Sequence, residues 1–148
     1  METWYEGLEP LQEKGEFNRD FWGQIFAIKN AVNKEFEKAR KDNVIGGSLE
    51  AEVEIQCSSD LKEILDALGD ELRFALICSA VRIRHLGADG NIADDADGFG
   101  VKISRSKHSK CERCWHHTPD VSRHPSYPGL CGRCVENVAG KGEKRNHV

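Results

Sequence analysis

A chain of 148 residues has room for one ordinary core and a small appended module, and too little for a typical multi-domain enzyme. Its 39% hydrophobic and 31% charged residues, with no apolar run near the roughly 20 residues that span a bilayer, exclude an integral membrane protein. The net charge of −4 hides an asymmetry: residues 1–99 hold 11 basic and 21 acidic side chains and residues 100–148 hold 10 and 4, so a basic C-terminal third follows an acidic body. That suits either a localised phosphate-contacting surface or a solvated tail.

Glu2, Glu6, Glu9, Glu13 and Glu16 crowd a start that lacks the basic residues and apolar stretch of a secretory signal, so a cytoplasmic location is expected. From Asp20 to Asn43 the residues Phe21, Ile25, Ile28, Val32, Phe36 and Ala39 recur at steps of three and four, which is one buried stripe of an amphipathic helix. Asp20 is placed as its N-cap, and Gly46-Gly47 as the point before which it stops. Ala51, Val53, Ile55 and Cys57 then alternate with Glu52, Glu54 and Gln56, the period of a half-buried strand.

Asp60, with Glu63 three residues on, predicts the start of a second helix whose stripe is Leu61, Ile64, Leu65, Leu68 and Leu72, with Gly69 as a point of bending or breakage. Val81 and Ile83 alternate with Arg82 and Arg84, and Val101 and Ile103 flank Lys102, giving two more strands. If acidic and basic strands are neighbours, Glu52 and Glu54 can pair with Arg82, Arg84 or Lys102, each contributing about 0.2–1 kcal/mol. The Gly- and Asp-rich connection from Gly87 to Gly100 reads as an exposed loop. Its Asp95, Asp97 and Gly98 miss the register of an EF-hand and no glutamate closes the loop, which rules out a calcium site of that type.

Of six cysteines, Cys57 and Cys78 stand alone and are assigned to packing. The other four form Cys111-Glu-Arg-Cys114 and Cys131-Gly-Arg-Cys134, separated by 16 residues, inside the window expected of zinc sites. Two residues between thiolates make a tight turn that places both sulfurs on one edge of a tetrahedron. Four thiolates close the coordination shell and leave no position to activate water, so one zinc ion is expected to supply folding energy and not catalysis. The intervening segment, with His116, His117, His124 and three prolines, is too poor in apolar residues to fold alone; zinc binding of roughly 10–16 kcal/mol would suffice. A histidine replacing one cysteine ligand, and a dithiol redox role, are the alternatives.

Arg113 and Arg133 occupy matching places in the two pairs, and Trp115 follows Cys114. Guanidinium groups grip phosphates or base edges, and an exposed indole stacks on an unpaired base; alternatively Trp115 covers the metal cluster as a small core. Lys141, Lys144 and Arg145 add candidate backbone contacts or form a disordered tail. No Ser/His/Asp arrangement or paired carboxylate stands at a spacing that supports catalysis.

Lys110-Cys-Glu-Arg-Cys-Trp-His-His117 and Leu130-Cys-Gly-Arg-Cys-Val135 resemble the C-terminal zinc knuckle of bacterial isoleucyl-tRNA synthetases. Upstream, Asn30-Ala-Val-Asn-Lys-Glu-Phe-Glu-Lys-Ala-Arg40 and Val44-Ile-Gly-Gly-Ser-Leu-Glu-Ala-Glu-Val53 are similar to the end of that family's anticodon-binding helical region. The resemblance implies a C-terminal piece of a class I ligase that joins isoleucine to its tRNA, with Cys111, Cys114, Cys131 and Cys134 as ligands near the anticodon end of isoleucine tRNA. ATP and Mg2+ would belong to the full-length enzyme, whose catalytic domains would precede this chain, and the piece alone would be inactive. Lys102-Ile-Ser-Arg-Ser106 superficially matches the family's Lys-Met-Ser-Lys-Ser loop, but no His-x-Gly-His partner appears and Val101 and Ile103 give it strand periodicity.

The expected fold class is α+β: a long N-terminal helix and a small antiparallel sheet with a packed helix, leading into a four-cysteine zinc knuckle. Residues 1–47 are expected to end the anticodon-binding helical region, 48–106 to form a small α+β domain, and 107–148 the knuckle and basic tail. A monomer is expected. Two rival functions are a fragment of a formamidopyrimidine-type DNA glycosylase, which carries a similar knuckle but begins with a catalytic Pro-Glu where this chain begins Met-Glu-Thr-Trp, and a zinc module for protein contacts.

Overall fold

A computed structural model describes residues 17–85 and 98–145. The N-terminal acids through Glu16, and Asp95 and Asp97 of the rejected calcium loop, lie outside the described residues.

Helix α1 (Arg19–Lys41) buries the six residues of the expected stripe, from Phe21 to Ala39. Its cap is Asn18, whose side chain accepts a hydrogen bond from the Phe21 N–H at 2.9 Å, and not Asp20. Asp20 sits inside the first turn, where its charge faces the positive end of the helix dipole. The helix stops short of Gly46-Gly47: Asn43 takes the left-handed turn (φ +56°), and the Val44 N–H returns to Ala39 O at 2.8 Å. Asparagine tolerates that conformation, so no glycine is needed there.

After a short 3-10 turn, strand β1 (Ala51–Cys57) alternates buried and half-buried residues along its length. Helix α2 (Ser59–Leu68) is capped by Ser58, which accepts from the Leu61 N–H at 3.4 Å, in place of the Asp60–Glu63 pair. Gly69 (φ +51°) breaks the predicted second helix; a 3-10 turn leads to helix α3 (Leu72–Leu76). Leu65, Leu68 and Leu72 of the stripe are buried, while Leu61 and Ile64 pack at its margin. Strand β2 (Ala80–His85) and strand β3 (Phe99–Arg105) complete the sheet.

The sheet order is β2-β1-β3, with β1 central. It is mixed rather than antiparallel, because β2 runs parallel to β1 and β3 antiparallel. The helices between β1 and β2 carry the chain back to the end where β1 started, and a strand entered after such a crossover lies parallel. Lys102-Ile-Ser-Arg of the superficial loop match is strand β3, on the sheet edge.

The even side chains of β1 form a charged row away from the core. Glu52 meets Arg82 and Glu54 meets Arg84, both at 2.8 Å, across the β1–β2 pair; Lys102 is in register with Glu54 on the other side. Both arginines are mostly exposed, so each pair contributes little. On the opposite face, α1, α2 and α3 join the sheet in one apolar cluster that takes in Cys57 and Cys78. The cysteine knuckle has a second, separate cluster of Cys111, Cys131 and Cys134 with Cys114, Val121 and Leu130. Among the described residues no helix is long and apolar enough to cross a membrane.

Candidate metal centre

The two cysteine pairs are presented by different local structures. Cys111 and Cys114 lie in a hairpin-like turn closed by a bridge between Lys110 and His117, with the Cys111 N–H donating to His116 O (2.9 Å) and the Trp115 N–H to Cys111 O (2.9 Å). Cys131 is the N-cap of helix α4 (Gly132–Ala139), and Cys134 lies in that helix's first turn. The halves are stitched together by the Glu112 N–H on Gly129 O at 3.0 Å and by the Asp120 carboxylate, which accepts from the Gly132 N–H at 2.6 Å.

All four sulfurs lie within 4.8 Å of one another. The Cys114 and Cys131 sulfurs are 3.7 Å apart. That is far longer than a disulfide bond of about 2.05 Å. It matches the ~3.8 Å edge of a tetrahedron whose vertices stand ~2.3 Å from a central zinc. Burial alone would raise the Cys111 thiol, but backbone N–H groups of Cys114, Cys131 and Arg113 bring it down to about 6; burial and the crowded sulfurs push Cys131 up to about 12. Four sulfurs this close cannot all ionise without a cation between them, and the donor set of four thiolates is one that zinc takes. The cluster is therefore suited to zinc, and its shell is closed.

The histidines stand aside from the cluster. His116 Nδ1 is 3.1 Å from Cys114 O and His117 Nδ1 is 2.8 Å from His108 O. His124 lies against the Tyr127 ring. Among the described residues, the group of side chains able to hold a metal is the four cysteines.

Trp115 is 59% exposed, with φ +66°, and Lys110 Nζ lies 4.9 Å from the centre of its ring. A small groove beside it is lined by Arg40, Gly47, Glu50, Lys110, Trp115 and His117. A tryptophan held outward in a left-handed conformation does not act as the lid of a core. Arg113 is exposed, with its Nη1 3.7 Å from the Cys134 sulfur. Arg133 is not its equivalent: its side chain is 19% exposed, pairs with Glu143 at 3.1 Å and lies 5.0 Å from the centre of the Phe74 ring. One arginine belongs to a turn and the other to a helix, which aims identical motif positions in different directions. Lys141 and Lys144 are exposed, and Arg145 lies 4.5 Å from the Phe74 ring centre.

Sequence reasoning missed the residues that tie the knuckle to the body. Ser79, buried between β2 and the knuckle, donates its hydroxyl hydrogen to Leu49 O and accepts from the His117 N–H at 2.6 Å. Phe74 packs edge-on to His116 (ring centres 5.7 Å apart). Neither carries a spacing that would mark it. Lys110, over the Trp115 ring, was missed as well, although its place directly before Cys111 could have marked it.

Residues 109–137 match a family model described as a zinc finger found in FPG and IleRS. The similarity to known proteins extends over the whole chain. It is 48% identical to part of the isoleucine–tRNA ligase of Alkalilimnicola ehrlichii, 48% to that of Stutzerimonas stutzeri and 46% to that of Azotobacter vinelandii. In each case all of this chain is covered and 16% of the relative, so the chain spans about a sixth of the length of these curated relatives.

Proposed function

We propose that this chain is the anticodon-side, C-terminal part of an isoleucine–tRNA ligase, where it helps to hold the anticodon end of isoleucine tRNA. The observation that carries the proposal is identity of 46–48% running through the helix and sheet as well as the knuckle. A shared zinc finger alone would suit an FPG-type protein equally well. ATP-dependent aminoacylation, with its Mg2+, would then belong to the remainder of the ligase, and this chain by itself would charge no tRNA.

In this role Cys111, Cys114, Cys131 and Cys134 hold one zinc ion, which when bound supplies a rigid crosslink between the two halves of the knuckle. The chain's own side chains do the recognition. Trp115 offers an exposed ring for stacking on an unpaired base, and Lys110, already over that ring, brings a cation to the adjoining phosphate. Arg113 flanks them, and Lys141 and Lys144 extend the basic surface to the tail.

The test is binding of the zinc-loaded chain to isoleucine tRNA, an unrelated tRNA and duplex DNA across a salt series. Preference for isoleucine tRNA, falling as salt rises, is expected. Trp115→Ala should weaken it by about 5- to 150-fold, the equivalent of roughly 1–3 kcal/mol for one lost stacking contact. Equal affinity for all three ligands, or none, would refute the tRNA-holding role and leave this piece as a structural brace, with recognition residing in other parts of the ligase.

A further inference from the structure

The segment after α4 is built into the protein. Gly142 (φ +90°) turns the chain, and its N–H joins Glu136 O at 3.1 Å. The Lys141 N–H donates to Glu136 Oε1 at 2.9 Å, and the Glu143 N–H to Asn137 Oδ1 at 2.8 Å. The Glu143 carboxylate then accepts from Arg133 Nη1 at 3.1 Å and from Arg145 Nε at 3.1 Å. Both guanidinium groups, with that of Arg73, surround the Phe74 ring at 4.5–5.0 Å from its centre. Glu143 thus joins three parts of the chain: α4 through Arg133, the tail through Arg145 and, by way of both, α3 at Phe74.

Lys141 and Lys144 flank this carboxylate and are exposed. A cation on a floating tail loses conformational freedom when it meets a phosphate; one on a pinned tail has already lost it. We infer that Glu143 is a positioning residue for RNA, fixing the tail so that Lys141 and Lys144 stand ready for the nucleic-acid backbone. This rests on the RNA-binding role proposed above. An acid at a phosphate-facing surface opposes binding by its charge, so its positioning effect and its electrostatic effect have opposite signs.

That opposition makes Glu143→Gln decisive. Removing one negative charge predicts tighter RNA binding if Glu143 only repels. If it positions the tail, affinity falls by roughly 3- to 10-fold near ~0.1 M salt, and the log–log salt slope flattens by about one, as for one lost phosphate contact. Lys144→Ala is the reference for such a loss. Phe74→Leu removes the aromatic seat shared by Arg133 and Arg145 while keeping the Glu143 carboxylate and the four cysteines in the sequence, and should give the same drop.

Zinc content and amide hydrogen exchange are measured on each variant. Faster exchange at residues 141–145 with zinc retained, together with the fall in affinity, is the expected result. Faster exchange there with RNA affinity unchanged or raised overturns the inference while leaving the RNA-binding role standing. Absence of RNA binding by the unsubstituted chain overturns both.

Discussion

Replacing Ser79 by alanine isolates the joint between body and knuckle. Ser79 is 1% exposed, and its hydroxyl serves two backbone groups, donating to Leu49 O and accepting from the His117 N–H. Alanine keeps the backbone and the Cβ but leaves both groups without a partner. An unsatisfied buried polar group costs about 1–3 kcal/mol, and solvent reaching the His117 side will relieve part of it, so a loss of about 2 kcal/mol is expected. In a chain of this length that lowers Tm by about 6 °C, measured by circular dichroism at fixed zinc concentration. Ser104→Ala is the control, because Ser104 is exposed on β3 and its hydroxyl contact to Glu52 O is a long 3.5 Å; it should shift Tm by less than about 2 °C. Amide exchange at His117 should also rise in Ser79→Ala. A Tm equal to that of the Ser104 control, or an unchanged His117 amide, would refute Ser79 as the joint.

Thiol labelling tests the division of the cysteines. Burial pushes the Cys78 thiol up to about 12 and raises that of Cys57, so at pH 8 only about one Cys78 in ten thousand is thiolate. A chelator removes the ion that holds the knuckle together, so the knuckle should unfold and present four solvent-exposed, fast-reacting thiols, Cys111, Cys114, Cys131 and Cys134, while Cys57 and Cys78, buried in the body's own core, react only after denaturant; six fast thiols would contradict the packing assignment. The two candidate caps of α1 separate by substitution. Asn18→Ala should cost about 1 kcal/mol in urea unfolding and Asp20→Ala less, and the reverse order would mean that Asn18 is not the working cap.

What the sequence disclosed depends on how local the governing physics is. The stripe from Phe21 to Ala39 and the alternation in β1 are periodic, so burial could be read directly from spacing. The four cysteines were legible for the same reason, since coordination geometry limits how far apart ligands can stand. The caps were misplaced by two residues because Asn18 and Asp20, or Ser58 and Asp60, are chemically equivalent candidates, and tertiary packing chooses between them. Strand direction is not encoded in alternation at all: it follows from the crossover through α2 and α3, which returns β2 parallel to β1. The seating of Arg133 and Arg145 was opaque because their common partner, Phe74, lies some 60 to 70 residues earlier in a helix with no motif of its own.

The exposed tip between the two cysteine pairs has a consequence for how such a chain can vary. Residues 122–126 are exposed, and the Ser122 hydroxyl donates to Pro128 O across the base of this excursion at 2.5 Å. Once the sulfurs are fixed by a common ion, the path between them is a closed loop. Lengthening a closed loop raises its closure entropy only logarithmically, by about 0.6 kcal/mol for each doubling. Insertions at this tip should therefore be nearly silent thermodynamically, whereas a single residue added between Cys111 and Cys114 would separate two vertices of the tetrahedron. The knuckle is free to acquire new surface at one end without disturbing the joint at the other.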